Sequence, residues 1–288
     1  MKRGLVVATA VLLAVVAAGL VLMTRRSDPE RWTAIEVAVA PQGHETGALK
    51  IWSPVLPRDK FVLHTCEGLL DGDRDFGLFS MRVLPTDWSR DGDALSYTWS
   101  FPPGIELRVV ARPRGDSVGL EYTVTNRTPT ELARVHLHPC LPTRNAPSFY
   151  PPRENQLPEL FRRVIYWSAG APQALAESKL GRAGEPHVAL MLEGQAPLEW
   201  AWWKVSPETL DLPLLAVSSD DLRHTIALGF ERALWATANV GDGRACLHLF
   251  PLFGRLAPNE SRTIRGAFYV VEGGPEVART RFLADFPQ

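Results

Sequence analysis

The stretch "GLEYTVTNRTPTELARVHLHPCLP", residues 119–142, decides the fold. Leu120, Tyr122 and Val124 alternate with Glu121, Thr123 and Thr125, the period-two pattern of a strand with one buried face. "TNRTP" at 125–129 breaks that pattern with turn residues. Alternation then resumes and sets His136, His138 and Cys140 two positions apart, so all three belong to one face of a second strand. That face is open to three readings: metal ligands, a catalytic cluster, or a core lining.

Outward from this stretch the chain repeats the same grammar. Short alternating runs such as "KFVLHTCEGLL", "ALSYTWSF", "IELRVVARP", "LEWAWWKV", "HTIALGFERALWA" and "ACLHLFPLF" are separated by "DGDRDFG", "SRDGDA", "PRGDS" and "NVGDGR". Many short strands with Asp-Gly and Gly-Asp turns every 8–12 residues or so predict a mostly β, antiparallel sandwich or barrel. Helical signals are sparse, at "NQLPELFRRVIYW" and "PEVARTRFLADF". "DGDRDFG" has the look of a calcium loop, but Phe76 stands where the loop needs glycine and Arg82 where it needs glutamate, so a tight turn is expected.

The 288 residues carry a net charge of −1 and are 45% hydrophobic, a balance that fits one large core and offers no electrostatic footprint for nucleic acid. "MKRGLVVATAVLLAVVAAGLVLMTRR" is different in kind. Its uncharged run from Gly4 to Met23 is about as long as a helix needs to cross the hydrocarbon core, and longer than the usual signal-peptide apolar region. The expected organisation is a signal-anchor transmembrane helix at 1–26, a polar spacer at 27–47 and one β-sandwich domain at 48–288. That domain is expected outside the cytoplasm of a single-pass membrane protein. Signal cleavage, giving a secreted or periplasmic protein, is the alternative.

Each of the three cysteines has a histidine two residues away, in "HTC" (His64, Cys66), "HLHPC" (His138, Cys140) and "CLH" (Cys246, His248). Imidazoles with thiolates suit zinc or copper, and the candidate ligands are His136, His138, Cys140, Cys246 and His248. Buried cysteines acting as small hydrophobes, or a Cys140–Cys246 disulfide, remain the alternatives.

The 119–142 stretch and the later "ACLHLFPLFGRLAPNESRTIRGAFYVV" together resemble the aldose 1-epimerase (galactose mutarotase) superfamily. There, a t-N…H-P-Y-F segment carries a catalytic His and a c-L-E-t…L-x-P-G-e segment a catalytic Glu. The resemblance implies a galactose mutarotase-like antiparallel β-supersandwich over roughly residues 45–275. Asn126 and His138-Pro139 fall on the first motif, with Cys140 and Leu141 replacing its aromatic pair. In the second motif the acidic position falls on His248. Mutarotation needs an acid at the ring oxygen and a base at the anomeric hydroxyl, both poised near neutral pH, and two histidines titrate in that range. The resemblance therefore implies His138 as acid, with His248 or the strand residue Glu231 as base, and Asn126 among the sugar contacts. It also implies that His138 and His248 face one concave sheet surface, with His136, Cys140 and Cys246 beside them.

"EWAWWKV" adds Trp200 and Trp202, which alternation sets on one face as a stacking platform for a sugar. Three functions follow. The first is a membrane-anchored carbohydrate-binding or carbohydrate-processing domain with epimerase-like or lyase-like chemistry. The second is a noncatalytic binding or assembly module, and the third is a His/Cys metal-binding domain.

Overall fold

The computed structural model describes residues 33–39, 45–72, 74–76, 87–150, 157–180, 202–206, 210–241 and 244–287. They form two antiparallel nine-stranded sheets, with strands numbered in chain order. The first sheet runs β1 (Ala34–Val39), β2 (Glu45–Trp52), β3 (Phe61–Asp71), β9 (Leu132–Pro142), β17 (Arg244–Leu256), β16 (Ala233–Gly241), β13 (Trp202–Val205) and β12 (Lys179–Leu180). The short β4 (Arg74–Asp75) folds back on β3. The second runs β11 (Ala171–Ala174), β10 (Val164–Ser168), β14 (Leu212–Ser218), β15 (His224–Phe230), β18 (Ser261–Glu272), β8 (Ser117–Asn126), β7 (Ile105–Arg114), β6 (Ala94–Phe101) and β5 (Ser89–Asp91).

The alternation that predicts the strands also builds the core between the sheets. Leu63, Leu137, Leu247 and Leu249 of the first sheet and Leu107, Tyr122, Val124 and Phe268 of the second belong to one buried cluster. Phe61 meets Phe268 across the gap, ring centroids 5.3 Å apart. The 119–142 stretch is the seam: β8 pairs in the second sheet and β9 in the first, so the turn at 127–131 carries the chain between sheets.

Asn126 fixes that crossing. Its Nδ2 donates to Thr130 O (2.8 Å), Leu256 O (3.1 Å) and Ala257 O (3.2 Å), while its Oδ1 accepts from Thr128 N (2.9 Å) and Thr128 Oγ1 (2.7 Å). A side-chain amide has two donors and one acceptor oxygen, so these bonds consume its capacity. Asn126, expected among the sugar contacts, is fully buried here and its side chain is engaged within the chain.

Other expectations shift locally. "NQLPELFRRVIYW" yields a helix, α1 (Leu157–Arg163), that stops where the β-branched and aromatic "VIYW" enters β10. Within "DGDRDFG" the chain folds back tightly, Asp71 of β3 pairing with Arg74 of β4 and Gly72 in the left-handed region at φ 59°. "HTIALGFERALWA" divides into β15 and β16, so Glu231 lies in the link rather than on a strand. The second helical signal forms α2 (Pro275–Asp285), with proline in its first turn. Residues 1–26, the expected membrane anchor, lie outside the described residues. Among the described residues no helix is long and apolar enough to cross a membrane.

Candidate functional site

In β9 and β17, Val135, Leu137, Leu141, Leu247 and Leu249 turn into the inter-sheet core. Strand alternation therefore turns His136, His138, Cys140, Cys246, His248 and Phe250 to the opposite, outer face of the first sheet. That face is covered all the same, because His138 and Cys140 are 0% exposed and His136 and His248 1%. From β16, Ala236 and Ala238 enter the core, which gives Trp235, Thr237 and Asn239 to the histidine face.

The antiparallel register fixes who meets whom. It runs without a shift from Leu141–Leu247 to His136–Leu252, setting Cys140 opposite His248 and His138 opposite Phe250. The His138 and Phe250 rings stack at 4.8 Å with 11° between their planes. His138 lies diagonal to His248, and their Nε2 and Nδ1 atoms are 2.7 Å apart, a direct imidazole–imidazole hydrogen bond. His248 Nε2 is 3.0 Å from Asn239 Oδ1, and an amide oxygen only accepts, so Nε2 carries a proton. In the neutral ring Nδ1 is then the acceptor and His138 Nε2–H donates to it. When His248 is protonated, its Nδ1–H faces two acceptors, His138 Nε2 and Pro139 O at 3.2 Å. One proton can thus reside on either ring without either ring moving.

A bulge delivers a third group. His64 pairs with Cys140 and Gly68 with His138, so Thr65, Cys66 and Glu67 of β3 together oppose Pro139. The extra residues break alternation and re-aim the side chains. Cys66 enters the inter-sheet core with its Sγ 3.3 Å from Gly68 O. Glu67, fully buried, reaches the other face, where a carboxylate oxygen and one ring nitrogen each of His138 and His248 lie within 4.8 Å of one another. A second triad within the same limit is Cys140, Cys246 and His248, and all three cysteines are free thiols.

The structure therefore brings together four of the five sequence-derived ligand candidates and divides them between two sets that share His248. His136 belongs to neither: its Nδ1 is 3.1 Å from Arg134 O and its ring meets Trp235 edge-on at 6.0 Å. Glu231, the candidate base, lies in the link between β15 and β16 rather than on a strand. Its Oε1 accepts from Arg265 Nε at 2.8 Å and its Oε2 from Arg265 N at 2.9 Å, beside the second sheet. Trp200 lies outside the described residues. Trp202 opens β13 as the cross-strand partner of Val240, while Trp203 is that of Asn239.

Two members of the site escape a reading by alternation. Glu67 is hidden by the bulge, whose sequence signal is Gly68, an isolated glycine inside an apolar strand. Asn239 is hidden because it sits beside the turn-forming "GDG", where asparagine reads as loop.

No protein-family model matches the chain, and no curated protein matches it. Solved structures are similar to it in layout. A galactose mutarotase-like protein from Clostridium acetobutylicum is 11% identical, with 84% of this chain and 99% of that one covered and a TM-score of 0.47. A putative aldose 1-epimerase from Escherichia coli K12 is 13% identical, with 83% and 99% covered and a TM-score of 0.44. A polysaccharide lyase is 15% identical, with 88% of this chain and 34% of that one covered and a TM-score of 0.45.

Proposed function

We propose that the chain is a carbohydrate-directed β-sandwich protein in which His138 and His248 exchange protons with a sugar, in epimerase-like or lyase-like chemistry. The observation that carries the proposal is the 2.7 Å contact between His138 Nε2 and His248 Nδ1. It gives an acid and a base joined by one hydrogen bond, so a proton donated at one atom of a sugar is replaced from the other ring. Asn239 orients His248, and the Glu67 carboxyl group stands beside the pair. His138 is the proposed acid and His248 the base. Residues 1–26 are the proposed anchor that holds the domain outside the cytoplasm. Both rings are buried, so contact with a sugar requires a rearrangement at this face.

The same burial favours a second reading, a noncatalytic binding module whose histidines are structural. One experiment separates the two. Anomeric exchange and epimerisation are followed by NMR across a panel of aldoses and uronates, with tryptophan fluorescence reporting binding. The catalytic reading expects exchange in the native chain that His138→Ala abolishes while the fold, by circular dichroism, stays. Saturable binding without exchange, unchanged in His138→Ala, makes the protein a binding module. No response to any sugar sinks the carbohydrate reading.

A further inference from the structure

We propose that Cys140, Cys246 and His248 form a binding site for a zinc ion, whose uptake replaces one of the two hydrogen bonds that the His248 ring makes, to His138 or to Asn239. The argument starts from the two triads that share His248. Around a tetrahedral zinc, bonds of about 2.0–2.1 Å to nitrogen and about 2.3 Å to sulfur set two nitrogens about 3.3 Å apart and two sulfurs about 3.8 Å apart. His138 Nε2 and His248 Nδ1 stand at 2.7 Å, too close to ligate one ion with those atoms and right for the hydrogen bond they make. The carboxylate triad is thus committed to a proton. In the thiol triad the ligand atoms converge within 4.8 Å, a limit that includes the zinc spacings.

The strand geometry explains the convergence. Cys140 lies opposite His248 across the β9–β17 ladder, and Cys246 is two residues from His248 on the same face of β17. All three sit in the sheet interior at 0–4% exposure, on neighbouring central strands that hold them in place without a loop. Two thiolates and an imidazole are a soft donor set, which selects zinc over magnesium or calcium. Each thiol gives its proton to solvent as its bond to zinc forms, so uptake releases protons and tightens as pH rises. Three protein ligands leave the fourth zinc position open.

The test uses the full chain, purified reduced, without a histidine tag and without chelator. Zn2+ is titrated against a chromophoric chelator, and Co2+ is substituted to read thiolate ligation by its charge-transfer absorption. The expected result is one ion per chain, with a thiolate band in the cobalt form. Cys140→Ser and Cys246→Ser should each weaken zinc by more than the roughly tenfold to hundredfold that an outer-shell change costs, while Glu67→Gln keeps the affinity within that range. The cobalt spectrum of the native chain decides the ligand type even if a serine variant fails to fold. Failure to bind, a cobalt spectrum without thiolate character, or binding lost in Glu67→Gln and kept in the serine variants overturns the proposal. So does a Cys140–Cys246 disulfide in a parallel preparation made without reductant. A chain that exchanges no sugar but binds zinc through both thiolates leaves this site standing and removes only the sugar reading.

Discussion

The outer faces of the two sheets are covered in opposite ways. On the second sheet α2 lies over Leu214, Ala216, Ala227, Ala267, Tyr269 and Val271, with Ala278 and Phe282 buried among them. The contact is close because Gly229 has no side chain: a Cβ there would stand 2.5 Å from the Phe282 ring. On the first sheet the matching face holds Glu67, His138, Cys140, Cys246 and His248, every one buried. Burying an apolar side chain is favourable by about 1.5–3 kcal/mol, whereas a buried polar group costs free energy unless it is hydrogen-bonded. The second sheet shows how this fold closes a face by packing alone. The first carries titratable groups at a stability cost that packing does not require, which is the physical reason to place function there.

The largest effect should come from the face that relies on packing. Phe282→Ala is expected to cost about 3–5 kcal/mol, read as a shift in the denaturant midpoint, because the truncated ring leaves a cavity under α2. A loss below about 1 kcal/mol would mean that the helix is not seated. Gly229→Ala should cost about 1–3 kcal/mol by overpacking against Phe282. In the Phe282→Ala background the same substitution should cost much less, since the obstructing ring is gone, and strict additivity would contradict the close approach of glycine and ring.

On the titratable face the diagnostic is coupling rather than size. His138→Leu and His248→Leu should each cost about 1–3 kcal/mol, because each strands the other ring's nitrogen away from water. The double variant should lose less than the sum by about 0.5–3 kcal/mol, as apolar groups then face each other. If sugar exchange is the function, it should vanish in all three, so stability partly returns in the double variant and activity does not. Additive stabilities would dissolve the pair and with it the contrast between the two faces.

How much of this was legible depended on whether alternation survived. It survives in β8, β9 and β17, so the paired sheets, the core set around Leu137 and Leu249, and the outward histidines follow from period two. It fails at residues 65–67, where the bulge turns Cys66 inward and Glu67 outward, so the carboxyl group that joins the two histidines is one that sequence spacing passes over. Asn126 was legible as a turn residue, but the direction of its amide depends on carbonyls as far along the chain as Leu256 and Ala257. Glu231 has the same explanation: its partner Arg265 is brought to it by the β15–β18 ladder.

The smallest effect sharpens the contrast through pH. Tyr269 lies beneath α2 with its hydroxyl donating to Asp285 Oδ2 at 3.0 Å. Burial raises its phenol above the ordinary value near 10, and the Asp285 and Asp116 carboxylates add to the rise. The folded state therefore keeps this proton to higher pH than the unfolded chain does. Its contribution is complete below about pH 10 and declines as pH climbs beyond the unfolded value. Tyr269→Phe should cost about 1 kcal/mol at neutral pH, for the lost hydrogen bond, and should make the alkaline decline of the unfolding free energy shallower. The slope should not vanish, because Tyr97 and Tyr122 in the inter-sheet core are also raised by burial. Denaturant titrations of both proteins from pH 8 upward read the difference. Coincident slopes would show that α2 does not seal Tyr269 from water, and the second sheet would then lose its standing as the face closed by packing alone.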